Sequence, residues 1–181
     1  MVFLDQHYSW NGIEKELALV LTDLIPGALS SPYVLCVGTD RHILDCLGPL
    51  TGAMVIEQTQ GLPLYGTLYD PLHAHNLSTR LHNIRSTHEH GIELVIDASM
   101  GEPEEVGRIR LRSGSIYPGK ASGKTLPALG VFALTGVVKS KKKAGLTYEN
   151  TGRESLAVVY SIARILSTGL VDWYKNITSD I

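Results

Sequence analysis

Cysteine is scarce in this chain, with two residues in 181. Two thiols build no disulfide framework, so an ordinary apolar core has to hold the fold, and a reducing cytoplasm is the expected compartment. Net charge is also nearly missing. Sixteen basic side chains against 18 acidic ones leave −2 at pH 7, which speaks against a general nucleic-acid or anionic-membrane binder. No unbroken apolar stretch approaches the roughly 18–20 residues of a membrane span. The opening Met1-Val2-Phe3-Leu4-Asp5-Gln6-His7 lacks the basic region and apolar core of a signal peptide. No internal repeat or low-complexity tract is present. Neither Cys-x-x-Cys nor His-x-x-x-His spacing occurs, which removes the strongest metal signatures.

What is there is the composition of one soluble domain, 44% hydrophobic and 19% charged, and a single domain over 1–181 is expected. Asn11-Gly12-Ile13-Glu14 reads as a cap with a glutamate three residues on. Ile13, Leu17, Val20 and Leu24 then follow at helical spacing until Pro26-Gly27. Residues 33–37 form an almost continuously apolar run, the mark of a strand buried on both faces. A helix is expected after Asp45, with Pro49 in its first turn. A short strand broken at Gly66 is expected over 62–68, a polar helix with Leu77, Leu81 and Ile84 on one side over 76–90, and a strand over 92–98. Alternating Arg108-Ile109-Arg110-Leu111-Arg112 suits a half-exposed edge strand, and 129–138 a central one. Thr151-Gly152-Arg153-Glu154 reads as a capping box opening a long helix. There Leu156, Val159, Ala163, Leu166 and Leu170, widened by Val158, Ile162 and Ile165, make a stripe broad enough to lie against a sheet. Strand and helix patterns alternate, which predicts an α/β fold: a three-layer α/β/α sandwich around a doubly wound, mostly parallel sheet.

In such a sheet, chemistry gathers beyond the carboxyl ends of the strands. Two acids sit at such ends: Asp45, in the loop after the 33–37 strand, and Asp97, closing Glu93-Leu94-Val95-Ile96-Asp97. Facing each other in one cleft, they would resist joint ionisation, leaving one carboxylate to activate water and one carboxylic acid to protonate a leaving amine. Alternatively, Asp45 caps its helix and Asp97 binds a loop amide. Asp40 and Arg41 offer a guanidinium and carboxylate that either orient a substrate or stiffen the loop. Five of seven histidines fall between His73 and His90. His73 and His75 share a face if the backbone is extended, and with the aspartates His73 is a weak candidate ligand for a divalent metal. His82, His88 and His90 read as solvated positions. The Gly123-Lys124-Thr125 sequence lacks the glycine five residues earlier that a phosphate loop needs, because Pro118 stands there. It reads instead as a loop over a cleft with Lys124 as its cation. The basic run Lys139-Ser140-Lys141-Lys142-Lys143 reads as a solvated loop, and Cys46 as a small buried residue rather than a nucleophile.

Several motifs together resemble the YyaC-type sporulation proteins. They are Gly38-Thr39-Asp40-Arg41 with Asp45-Cys46-Leu47-Gly48-Pro49, Tyr65-Gly66-Thr67-Leu68 with Pro71-Leu72-His73-Ala74, and Asp97-Ala98 with Gly101. Pro118-Gly119 with Lys124-Thr125-Leu126-Pro127, and Thr135-Gly136-Val137-Val138, continue the same order. That family is similar to the spore germination protease and, more distantly, to hydrogenase-maturation endopeptidases. The resemblance implies a hydrolase-like doubly wound α/β/α fold. It implies that Asp45 and Asp97 match two aspartates essential in the germination protease, and that a nickel site of the maturation peptidases occupies the same two places. The expectation is a sporulation-associated, cytoplasmic (forespore) peptidase-like hydrolase acting on a protein or peptide, such as a spore protein. In it Asp45 and Asp97 are catalytic, Asp40, Arg41 and Lys124 orient substrate, and no cofactor is needed, a divalent metal being the variant to consider. Neither nucleic acid nor membrane is expected as partner. A non-catalytic sporulation binding protein that kept the cleft, or a divalent-metal-dependent hydrolase using His73, are the alternatives.

Overall fold

A computed structural model describes residues 1–27, 31–118, 126–140 and 156–179. Among these residues six strands and four helices succeed one another. They are β1 (Val2–His7), α1 (Ile13–Leu24), β2 (Tyr33–Cys36), α2 (Leu47–Gln58), β3 (Leu64–Tyr65), α3 (Leu77–Thr87), β4 (Glu93–Gly101), β5 (Arg108–Ser113), β6 (Phe132–Ser140) and α4 (Leu156–Thr178), with 3-10 turns at Ile43–Asp45 and Pro103–Glu105. The strands make one sheet in the order β1-β5-β6-β4-β2-β3. Its β3, β2, β4 and β6 run parallel, and β5 and β1 add antiparallel at one side. The α/β class and mostly parallel sheet expected from alternation are therefore present.

Period-two geometry sends successive β2 side chains to opposite faces. Val34 and Cys36 join one apolar cluster with α1, α2 and α4, while Tyr33, Leu35 and Val37 join another with Leu77, Leu81 and Ile84 of α3. That is why this run carries almost no polar residue.

Four expectations need correction. β5 is not an edge: it lies between β1 and β6. Its arginine/apolar alternation reports one wet face and one dry face, and says nothing about whether the backbone edges are occupied. Ile109 and Leu111 are buried, whereas Arg108 and Arg110 pair with Asp5, and Arg110 also with Glu105. The Asn11 cap is not formed. Gly12, with φ +86°, is the cap residue, and no side chain bonds to the helix start. Leu156 is exposed, although the rest of its stripe is buried. Finally, α4 is long and apolar enough to cross a bilayer by length and composition, despite its scattered polar residues, with 61% of its apolar window buried within the fold. Trp173 on this helix is fully buried, and its indole N–H donates to the Ile25 carbonyl at 3.3 Å. The Thr151–Glu154 capping box lies outside the described residues.

Candidate active site

After β2 the chain leaves the sheet at a glycine. Val37 N–H still reaches the Ile96 carbonyl of β4 at 2.8 Å, and Gly38 N–H then turns to the Leu72 carbonyl at 3.0 Å. Gly38 has φ +142°, and a Cβ there would collide with the Asp45 carbonyl, so only glycine permits the loop to fold back this closely. Thr39 N–H donates to that carbonyl at 2.9 Å, and Asp45 N–H to the His42 carbonyl at 2.9 Å. The turn thus satisfies the backbone of Asp45 and leaves its side chain available. α2 starts at Cys46 with no side-chain cap, so the helix-capping role open to Asp45 is not realised.

Asp97 stands one residue past the last β2–β4 pair, Cys36–Ile96. One of its carboxyl oxygens accepts the Ala98 N–H at 2.8 Å. The other has no hydrogen-bond partner among the described residues, yet no side-chain oxygen is left both sealed and unpartnered there, so it stays open to the cavity.

Asp45 and Asp97 line the same cavity, of about 500 Å³, together with Gly38, His42, His73, Met100, Tyr117 and Lys139 among others. Burial is the main force lifting the Asp97 carboxyl to about 8. The Asp45 charge adds to it, and the Ala98 N–H pulls the other way. Asp45 keeps exposed surface at the mouth, but the walls thin its hydration and raise its pKa as well, against a lowering by His42. Two carboxyls that share one cavity and are both raised by burial resist joint ionisation.

His73 lines this cavity, but its Nδ1 accepts the His75 N–H at 3.2 Å, and the two rings meet edge to face. No three His, Cys, Asp or Glu side chains among the described residues converge to hold a metal ion. Asp40 and Arg41 are exposed on the turn between Gly38 and His42, outside the cavity lining. They form no ion pair with each other among the described residues. Lys124 lies outside those residues. Among the described residues, the Lys or Arg side chain that lines the cavity is Lys139, at the end of β6. The sequence reading placed it in a solvated run, and strand periodicity continued through Val138 was the signal that could have moved it inward. Cys46 is buried, its Sγ donates to the Ile43 carbonyl at 3.1 Å, and burial raises its pKa, as befits a packing residue.

A second polar centre was missed. Glu93, 4% exposed, accepts from Arg85 twice at 2.9 Å, from the Tyr33 hydroxyl at 2.8 Å and from Gly130 N–H at 2.5 Å. His88, expected to be solvated, stacks on Tyr33 at 4.6 Å between centroids and bonds to the Tyr65 hydroxyl. None of these residues lines the cavity, so the network holds β2, β4 and α3 together.

Residues 6–169 match a family model described as "Protein of unknown function (DUF1256)". The chain is also 33% identical over 160 residues to the "Uncharacterized protein YyaC" of Bacillus subtilis (strain 168), an alignment covering 86% of this chain and 76% of that protein.

Proposed function

This chain belongs to the DUF1256 family, and from that membership together with the Asp45–Asp97 pair we propose that it is a peptidase-like hydrolase acting on a polypeptide. The observation that carries the reading is that Asp45 and Asp97 line one open cavity, in which burial and the Asp45 charge push the Asp97 carboxyl up to about 8. Perturbed carboxyls of this kind concentrate at catalytic sites.

In the proposed reaction Asp45, ionised, takes a proton from a water molecule, whose oxygen adds to the scissile carbonyl carbon. Asp97 donates its proton to the amide nitrogen as the C–N bond breaks, and a proton passed on from Asp45 through solvent resets the pair. Lys139 supplies positive charge to the cavity wall where the carbonyl oxygen gathers charge. Asp40 and Arg41 are assigned to holding the substrate chain, and Lys124 to orienting it.

The finer architecture belongs to this reading too: a three-layer, doubly wound α/β/α sandwich of hydrolase type. Two apolar clusters drawing alternate residues of β2 support it. A sporulation-associated role in the cytoplasm of a spore former, with a spore protein as substrate, belongs to the same proposal, and the Bacillus subtilis relative supports only the kind of organism.

The test incubates extracts of sporulating Bacillus cells with wild type, Asp45→Asn or Asp97→Asn, and reads new peptide termini by mass spectrometry. Termini produced only by the wild type are expected. Identical patterns from all three would remove the dyad from the mechanism.

A further inference from the structure

β4 is longer than the strand beside it. Over its nine residues it pairs with β6 from Leu94 to Gly101, whereas β2 accompanies it only from Glu93 to Ile96. From Asp97 onward, no strand among the described residues covers the β2 side, and this overhang, Asp97 to Met100, lines the cavity.

Successive strand residues aim their N–H and C=O groups at opposite edges. The Ile96 carbonyl points to the β2 side, where it accepts from Val37, so Ala98 and Met100 aim the same way. The Ala98 N–H is taken by the Asp97 carboxyl. The Ala98 carbonyl and the Met100 N–H and carbonyl have no backbone partner among the described residues, and both residues line the cavity. Apolar side chains flank it: Leu44, Val138, Tyr117, and Met100 itself, which is 50% exposed. An unpaired strand edge is a template for another chain. Here it is recessed within a cavity and starts at the proposed proton donor.

We propose that this edge, Ala98 to Met100, binds a polypeptide in extended conformation by adding it to the sheet where β2 ends, so that its main chain runs past Asp97. The proposal rests on the hydrolase reading for its purpose and specifies the substrate class: an unfolded or extended segment rather than a helix or a compact domain. Main-chain bonds supply affinity, and the apolar flanks select alternate side chains.

The test separates binding from cleavage. A random octapeptide library is selected on the Asp97→Asn protein, and the best synthetic peptide is scanned with single backbone N-methyl groups by fluorescence anisotropy. N-methylation is expected to weaken binding about tenfold or more at every second amide and little between. Met100→Pro, which removes an N–H not used by β6, is expected to lose the same peptide while keeping the wild-type circular dichroism spectrum. A flat scan, a scan without alternation, or a library that yields no binder would overturn the proposal. Alternating loss in a protein that cleaves nothing would uphold this binding mode and sink the hydrolytic reading. Cleavage by the wild type with a flat scan would do the reverse.

Discussion

A carboxyl that holds its proton to about pH 8 leaves a mark on stability as well as on chemistry. In the unfolded chain Asp97 ionises near about 3.9. Between the two values the folded state keeps a proton that the unfolded state has released, so stability falls as pH rises through this window. The contribution is fully present below about 4 and lost above about 8. Asp97→Asn, which retains an oxygen for the Ala98 N–H, should remove this slope. Melting curves at pH 4, 7 and 9 should show the variant close to wild type at the lowest pH and higher by about 4 °C or more at the highest. Parallel curves would mean that Asp97 ionises normally. Hydrolysis by the wild type should follow the same pair: it rises with pH as Asp45 loses its proton and falls as Asp97 loses its own near 8, giving a bell-shaped profile.

Glu93 titrates in the opposite direction. Burial alone would raise its pKa, but Arg85, Gly130 N–H and the Tyr33 hydroxyl outweigh that and hold it below the usual range. Its contribution is therefore present above about pH 4.3 and drains as pH falls through the lowered value. Glu93→Gln removes the negative charge opposite the Arg85 guanidinium, which keeps its bond to the Ala128 carbonyl. Because Arg85 is 43% exposed, the cost should sit near the lower end for a broken buried pair, about 3 kcal/mol, read as a drop in urea midpoint with the slope unchanged.

At the scale of elements, the turn between β2 and α2 decides whether Asp45 reaches the cavity. Gly38→Ala sets a methyl against the Asp45 carbonyl in a backbone region few side chains adopt. Gly12→Ala is the control, since it shares a positive φ but meets nothing within 4 Å. Denaturation should show a loss of about 1 kcal/mol for Gly12→Ala, from backbone strain alone, and at least twice that for Gly38→Ala, with loss of any hydrolytic activity in the latter only. Equal losses would show that the close approach at Gly38 is unimportant. β5 teaches a different lesson at this scale. Its Arg/apolar alternation correctly foretold one wet face, yet β1, a strand whose residues carried no comparable pattern, took the outer position.

At the scale of the whole molecule, α4 binds the parts together. It packs along α1 and α2, and Trp173 is sealed against Ile25 far along the chain. Trp173→Ala should cost about 3–5 kcal/mol, a large share of the roughly 5–15 kcal/mol that holds a domain. Calorimetry should show one transition moved down as a unit. A second, unshifted transition would divide the chain into independent parts. Because the apolar face of α4 is occupied by the core, wild-type protein should stay in the aqueous fraction when floated with neutral phosphatidylcholine vesicles, and co-flotation would show that the helix can leave its seat.

Sequence by itself determined what depends on neighbours along the chain. The buried run 33–37, the apolar sides of α3 and α4, and the placement of Asp45 and Asp97 just beyond strand ends all follow from local periodicity and from where glycine and proline interrupt it. Tertiary structure alone decided which strands lie side by side, and hence that two acids 52 positions apart share a cavity, that Lys139 joins them, that Arg85 neutralises Glu93, and that β4 outruns β2 to leave an open edge. The reason is physical. Periodicity records which face of an element is dry, whereas pairing order, strand overhang and the field at a carboxyl arise from groups remote in sequence that meet only when the sheet has closed.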